Sequence, residues 1–91
     1  MTEQAGSEQS IGTVTHYFGK ISVGAIELTD SLRVGETIRI QGHTTNLTMA
    51  VESMQIENQP VQEAKAGDVI GIKVPDHVRE GDRVYRVEPA A

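Results

Sequence analysis

Leu32-Arg33-Val34-Gly35-Glu36-Thr37-Ile38-Arg39-Ile40 reads as a tight turn running straight into a strand. Two later stretches share its frame: Ala64-Lys65-Ala66-Gly67-Asp68-Val69 and Val78-Arg79-Glu80-Gly81-Asp82-Arg83-Val84. Each reads apolar, basic, any residue, Gly, acid, then a β-branched residue one or two positions on. Gly reaches positive φ without a Cβ clash, which suits it to the last corner of such a turn. The apolar residue three before the Gly is expected to pack inward while its basic and acidic neighbours stay hydrated. Three such corners, each feeding a strand, predict a small all-β barrel.

Working outward from these corners, the period-two pattern predicts six strands, over residues 11–18, 22–28, 36–41, 47–58, 69–74 and 83–87. In the first, Val14, His16 and Phe18 share one face and Thr13, Thr15 and Tyr17 the other, so Phe18 is expected in the core and Tyr17 outward. In the second, Gly24, Ile26 and Leu28 share one side and Val23, Ala25 and Glu27 the other, and Gly24 in mid-strand marks a bulge or a close backbone approach. Ile38 and Ile40 are the inward residues of the third. The long fourth strand changes parity between Leu47, Met49 and Val51 and the later Met54 and Ile56, which reads as a β-bulge near Glu52 or Ser53. Pro60 lacks the amide donor and is expected to end that strand. Asp76-His77-Val78 reads as one short helical turn before the third corner. No helical hydrophobic period runs through the chain. The domain is therefore residues 11–87, with residues 1–10 a polar, disordered lead-in and residues 88–91 a tail.

The chain has 91 residues, enough for one domain with one modest core. It has no Trp, one Phe and two Tyr, so that core is aliphatic. It has no Cys, which excludes disulfides, thiolate metal sites and Cys nucleophiles, and fits a reducing compartment. The net charge is −5, and residues 11–87 carry ten acids against eight bases. That balance exerts no global pull on phosphate polyanions or anionic membranes, although Arg33, Arg39, Lys73, Arg79, Arg83 and Arg86 could gather locally. Arg83 and Arg86 are expected to pair with Glu80, Asp82 or Glu88. No apolar run is long enough to span a bilayer, and the N-terminus lacks the basic and apolar segments of a signal peptide. The expected location is cytoplasmic.

No catalytic constellation emerges. Gly19-Lys20 is not a phosphate loop, since Gly12 lies seven residues before Gly19 where five are needed, and Ile21 stands where Ser or Thr would bind magnesium. His16, His43 and His77 match no metal-ligand spacing. No pair of carboxylates stands out for acid–base work, and Ser53 and His43 lack a third partner. Asn46-Leu47-Thr48 matches the glycosylation sequon, which a cytoplasmic protein would not use. No catalytic residue, metal, cofactor or nucleotide is expected.

The first corner and its strand, through Gln41-Gly42, followed by Val51-Glu52-Ser53-Met54, resemble the second domain of translational GTPases such as elongation factor Tu. Ala64-Lys65-Ala66-Gly67-Asp68-Val69-Ile70-Gly71-Ile72 and Glu80-Gly81-Asp82-Arg83-Val84 resemble later segments of the same barrel. Ile11-Gly12, Val14-Thr15-His16-Tyr17-Phe18, His43-Thr44-Thr45 and Val51-Glu52-Ser53-Met54-Gln55-Ile56 resemble the small translation elongation factor-like proteins. They are also similar to the C-terminal barrel of collagenase-like peptidase-family proteins. These resemblances imply a small six-stranded closed β-barrel of the translation-protein type. They do not bring GTPase, peptidase or RNA-modifying chemistry, which would belong to other domains.

Two functions are then expected. The first is a non-enzymatic module, linked to translation or RNA modification, that binds RNA (tRNA or ribosomal RNA) or a ribonucleoprotein. Its face would hold the turn His43-Thr44-Thr45, with Tyr17 nearby for stacking and Arg39 as a phosphate contact. The alternative is a protein–protein module docking onto a separately encoded catalytic subunit of the collagenase-like peptidase or RNA-modifying type.

Overall fold

The three corners are type II turns that do the same structural work three times. In the computed structural model, which describes residues 8–87, Gly35, Gly67 and Gly81 take φ of 101°, 95° and 91°. Each turn closes with an i to i+3 backbone bond: Glu36 N–H donates to the Arg33 carbonyl at 3.2 Å, Asp68 N–H to Lys65 and Asp82 N–H to Arg79 at 3.0 Å. The acid side chains answer in the opposite direction. The carboxylates of Glu36, Asp68 and Asp82 accept the N–H groups of Arg33, Lys65 and Arg79, all at 2.9 Å. The acid therefore belongs to the turn, where it satisfies a backbone donor locally. The leading apolar residues Leu32, Ala64 and Val78 are buried as the pattern predicts.

Past each turn, Gly and acid together face one residue of a neighbouring strand. Gly35 N–H donates to the Val51 carbonyl and Val51 N–H to the Glu36 carbonyl, both at 2.8 Å. Gly67 and Asp68 face Leu28 in the same way, at 2.8 and 2.9 Å, and Gly81 and Asp82 face Val14, both at 2.8 Å. Two residues against one, with Gly at positive φ, is a G1 β-bulge. Val51, Leu28 and Val14 are each 1% exposed, so every corner is anchored on a core residue.

Ten strands are present among the described residues: β1 (Glu8–Phe18), β2 (Val23–Leu28), β3 (Leu32–Arg33), β4 (Thr37–Gln41), β5 (Asn46–Ala50), β6 (Met54–Ile56), β7 (Gln59–Val61), β8 (Glu63–Ala64), β9 (Val69–Lys73) and β10 (Arg83–Val87). Eight of them form one sheet in the order β5-β4-β10-β1-β2-β9-β6-β7, with antiparallel neighbours; β3 and β8 form a separate ribbon. The corner bulges extend the β4–β5, β2–β9 and β1–β10 ladders. Inward residues from every quarter of this sheet, including Ile11, Ile26, Ile38, Ile40, Met54, Ile70, Ile72 and Val84, belong to one buried cluster, so the sheet curls around a single core.

The domain is all-β, as expected, but the expected six-stranded closed barrel is not what the hydrogen bonds make. Among the described residues no ladder joins β5 to β7, so the sheet is not closed by hydrogen bonds. The pairing with β4 and its corner ends at Val51, which bonds to Gly35 and Glu36. The long strand expected over residues 47–58 is interrupted there, β5 ending at Ala50, and no bulge sits near Glu52 or Ser53. The chain restarts as β6 on a different partner, β9. Pro60 does not end the pairing either. It lies in β7, the edge strand, where its missing donor costs nothing in the ladder. Glu57 and Asn58, at φ of 51° and 66°, make the two-residue turn between β6 and β7, the type I′ geometry that suits a hairpin.

Smaller differences follow from the same pairing. β1 begins at Glu8, three residues before the expected start, because Glu8, Gln9 and Ser10 pair with Val87, Arg86 and Tyr85. Residues 8–10 of the lead-in expected over residues 1–10 are thus strand, and the rest of it, residues 1–7, lies with the expected tail, residues 88–91, outside the described residues. The chain bends at Pro75 and Asp76, and residues 76–78 make no helical turn. Gly24 marks a close approach, since a Cβ there would lie 3.2 Å from Val78 Cγ2. Among the described residues no helix is long and apolar enough to cross a membrane.

Candidate docking surface

A single extra residue in β1 decides which aromatic faces out. Val14 pairs with Ile26, but His16 pairs with Ala25, so Thr15 is the surplus residue of a bulge, its hydroxyl donating to the Ala25 carbonyl at 3.3 Å. The alternation inverts there. Tyr17 turns inward, half-buried against the core, while His16 and Phe18 turn out. This corrects the expectation of a core Phe18 and an outward Tyr17: strict period-two counting does not survive an inserted residue. The Tyr17 ring packs on His77, with centroids 4.4 Å apart. The Phe18 ring packs on His16 at 4.5 Å, and His16 Nδ1 lies 3.2 Å from Glu80 Oε2. Phe18 is thus steadied while remaining on the surface.

After Phe18 the chain turns through Gly19-Lys20 and presents Ile21, whose N–H donates to the Phe18 carbonyl at 3.3 Å. Ser22 at φ 57° then carries the chain into β2. Two strands away in the sheet order, β9 opens with Val69. Phe18, Ile21 and Val69 are 45%, 56% and 49% exposed, and they are the large hydrophobic side chains left exposed among the described residues. All three line one groove of about 290 Å³. Val23, Ala25, Ile70 and Gly71 form its floor, and Gln55, Glu57 and Asn58 of the β6–β7 hairpin its opposite wall. Of these lining residues only Glu57 is charged. Removing such side chains from water is favourable, so three of them gathered on one surface favour contact with another apolar surface.

A second, larger concavity of about 370 Å³ opens where β5 and β6 part company. It is lined by Met49, Ala50, Glu52, Ser53, Lys73, Val74 and Pro75. It mixes one acid, one base and one hydroxyl with apolar residues that range from the buried Val74 to the exposed Ala50 and Pro75. Among the described residues no group of three or more His, Cys, Asp or Glu side chains is placed to hold a metal ion.

The residues expected to contact RNA are distributed over β1, β4 and the β4–β5 turn. His43 and Thr44 are exposed in the turn. Thr45 is 5% exposed, and its carbonyl accepts the Gly42 N–H at 2.8 Å. Arg39 is half-buried in β4, between Tyr85 of β10 and Thr48 of β5. Tyr17 packs on the core, so its ring is not an open stacking platform. The basic residues are partly neutralised. Arg33 lies 3.7 Å from Glu63. Arg86 meets neither Glu80 nor Asp82 as expected. Its guanidinium reaches Asp30 at 3.7 Å, Glu36 at 3.5 Å and Gln9 at 3.1 Å, and donates to the Ser31 carbonyl.

Sequence reasoning missed the groove. Ile21 sits in a polar turn, where an exposed isoleucine has no structural duty, and that was the available signal. Val69 begins a strand whose parity buries Ile70 and Ile72, which leaves Val69 outside.

Comparison with known proteins bears on which partner such a surface meets. No protein-family model matches the chain. Its sequence is 47% identical over 76 residues to an uncharacterised protease of Methanocaldococcus jannaschii, a match covering 82% of this chain and 19% of that protein. It is 34% identical over 80 residues to a collagenase of Porphyromonas gingivalis, covering 86% of this chain and 22% of the relative. The chain therefore spans about a fifth of the length of the curated relatives it matches. The C-terminal domain of a Geobacillus thermoleovorans protein described as a U32 peptidase superposes with a TM-score of 0.81 at 16% identity, over 86% of this chain and 91% of that domain. These similarities correct the translation-linked, RNA-binding expectation and support the collagenase-like part of the resemblance. The chain has the fold of the U32 peptidase C-terminal domain, and its sequence is similar to about a fifth of larger collagenase-like proteases.

Proposed function

We propose that this protein is a non-catalytic accessory domain of the collagenase-like peptidase type, which docks onto a catalytic part carried elsewhere. The observation that carries the reading is the sequence match: 47% identity over 76 residues to a stretch making up 19% of a protease. A domain lacking a metal cluster among its described residues, yet offering an exposed apolar groove, suits docking better than chemistry. The absence of Cys fits a cytoplasmic setting for such a pair.

The test uses the Methanocaldococcus jannaschii protease shortened by the segment this chain matches. Titrated against the full chain in a calorimeter, the shortened protease should bind saturably with one-to-one stoichiometry. Binding should survive raised salt, because an apolar interface is little screened. No binding, both for the separate parts and for a chimera in which the chain replaces the matching segment and unfolds independently of it, would sink the proposal.

A further inference from the structure

We infer that the groove bordered by Phe18, Ile21 and Val69 is the face that seats the catalytic part of a collagenase-like protease; this rests on the docking reading above. Three observations converge on that face. First, the exposed large hydrophobic side chains of the described residues all line it, although they come from the end of β1, the turn after it and the start of β9. A chain that buries fifteen hydrophobic residues in one core has left these three outside it in one place. Second, the groove is built to hold its shape. The Phe18 ring is packed on His16, the Ile21 turn is closed by a bond to the Phe18 carbonyl, and the opposite wall is a two-residue hairpin turn. Side chains held in place before contact lose less freedom on binding. Third, its lining carries no Lys or Arg and a single acid, Glu57, so it offers nothing to a polyanion and fits an apolar protein surface with an uncharged rim.

The make-up of the matched relatives points to the occupant. About four-fifths of each relative lies outside the matched stretch. The solved domain with this fold is the C-terminal part of a larger peptidase. In the matched relatives a stretch similar to this domain is therefore joined to a much longer remainder, which is the neighbour such a groove would meet. The groove is small beside a standard interface of about 800 Å² per partner, so it serves as the buried centre, with the Gln55 and Asn58 wall as its rim.

The experiment repeats the calorimetric titration of the shortened Methanocaldococcus jannaschii protease with Ile21→Lys, Val69→Lys and, as a control at the other end of the sheet, Thr48→Lys in β5. All three sites are solvent-exposed, and circular dichroism melts should match those of the unsubstituted chain. A lysine at the centre of an apolar contact should weaken binding roughly 30-fold or more, whereas the Thr48 variant should bind within about twofold. If the unsubstituted chain binds and the Ile21 and Val69 variants bind equally well, the groove inference is overturned and the docking reading stands. If the unsubstituted chain does not bind and the segment in the chimera unfolds independently, the docking reading itself falls. If light scattering shows that the chain alone dimerises, that Ile21→Lys abolishes this, and that the protease does not compete, the groove is a self-association surface and the inference is wrong.

Discussion

Replacing Gly35, Gly67 and Gly81 by Ala, one at a time, tests whether the three corners are the same device. A Cβ at any of the three would meet nothing within 4 Å, so no steric clash enters. The cost is purely conformational, because φ near 91–101° is a region that L residues rarely adopt. An L side chain in left-handed backbone costs about 1–2 kcal/mol, and the lower entropy of an unfolded Ala returns about 0.4–1 kcal/mol. Each variant should therefore lose about 1 kcal/mol, a fall in Tm of about 4–8 °C for a domain this size. The three turns close different ladders, so a triple variant should lose about 3 kcal/mol, the sum of its parts. Urea melts followed by circular dichroism measure this, with the m-value unchanged if the native fold persists. Asn tolerates positive φ better than Ala, so Gly→Asn at each corner should recover about half of the loss. Gly24→Ala is the contrast. Its cost comes from the 3.2 Å approach to Val78, and Asn there should be worse than Ala. The reasoning is refuted if the three corner Ala variants differ among themselves by more than about 1 kcal/mol, or if Asn is no better than Ala at the corners.

Other substitutions probe features further from the corners. Tyr17→Ala should destabilise the fold by about 2–3 kcal/mol and Phe18→Ala by under about 1 kcal/mol, the reverse of what uninterrupted alternation along β1 implies; the same urea melts decide it. Arg86→Met should cost about 1–2 kcal/mol by leaving Asp30 and Glu36 without their shared cation, and Arg86→Lys should not restore it, since one ammonium cannot reach Gln9, the Ser31 carbonyl and both acids together. The double change Glu57→Asn and Asn58→Gly should raise stability by about 1 kcal/mol, because both positions have positive φ and Asn-Gly is the preferred pair for that hairpin turn; an unchanged melt would contradict the turn assignment.

The groove and the corrected site show why function was harder to see than fold. Tyr17 and Phe18 are adjacent, and whether a given one faces out depends on Thr15 being inserted opposite Ala25. Nothing in residues 11–18 alone demands that insertion. Likewise Ile21 and Val69 are 48 positions apart in the sequence. They line one groove only because β9 pairs with β2: Val69 faces Glu27 near the far end of β2, and Val23, Ala25 and Gly71 line the groove between it and the Ile21 turn. The His43-Thr44-Thr45 turn drew attention by its hydroxyls and imidazole, but Thr45 is buried and its carbonyl serves the turn.

What the sequence by itself determined was local. The need for positive φ at Gly, the reach of an acid back over three residues to an amide, and the burial of the apolar residue ahead of them are all settled within five positions. The three corners could therefore be read directly, together with an all-β fold and the inward faces of β2 and β4. Tertiary structure decided what depends on residues far apart: the end of the run at Val51, paired with the corner that precedes β4; the survival of Pro60 in an edge strand; the partners of Arg86, three of them more than fifty residues away; and the open sheet. Backbone bonds and apolar contacts between distant segments form only when the sheet curls around its core. Alternation along one strand carries no record of the partner that will interrupt it.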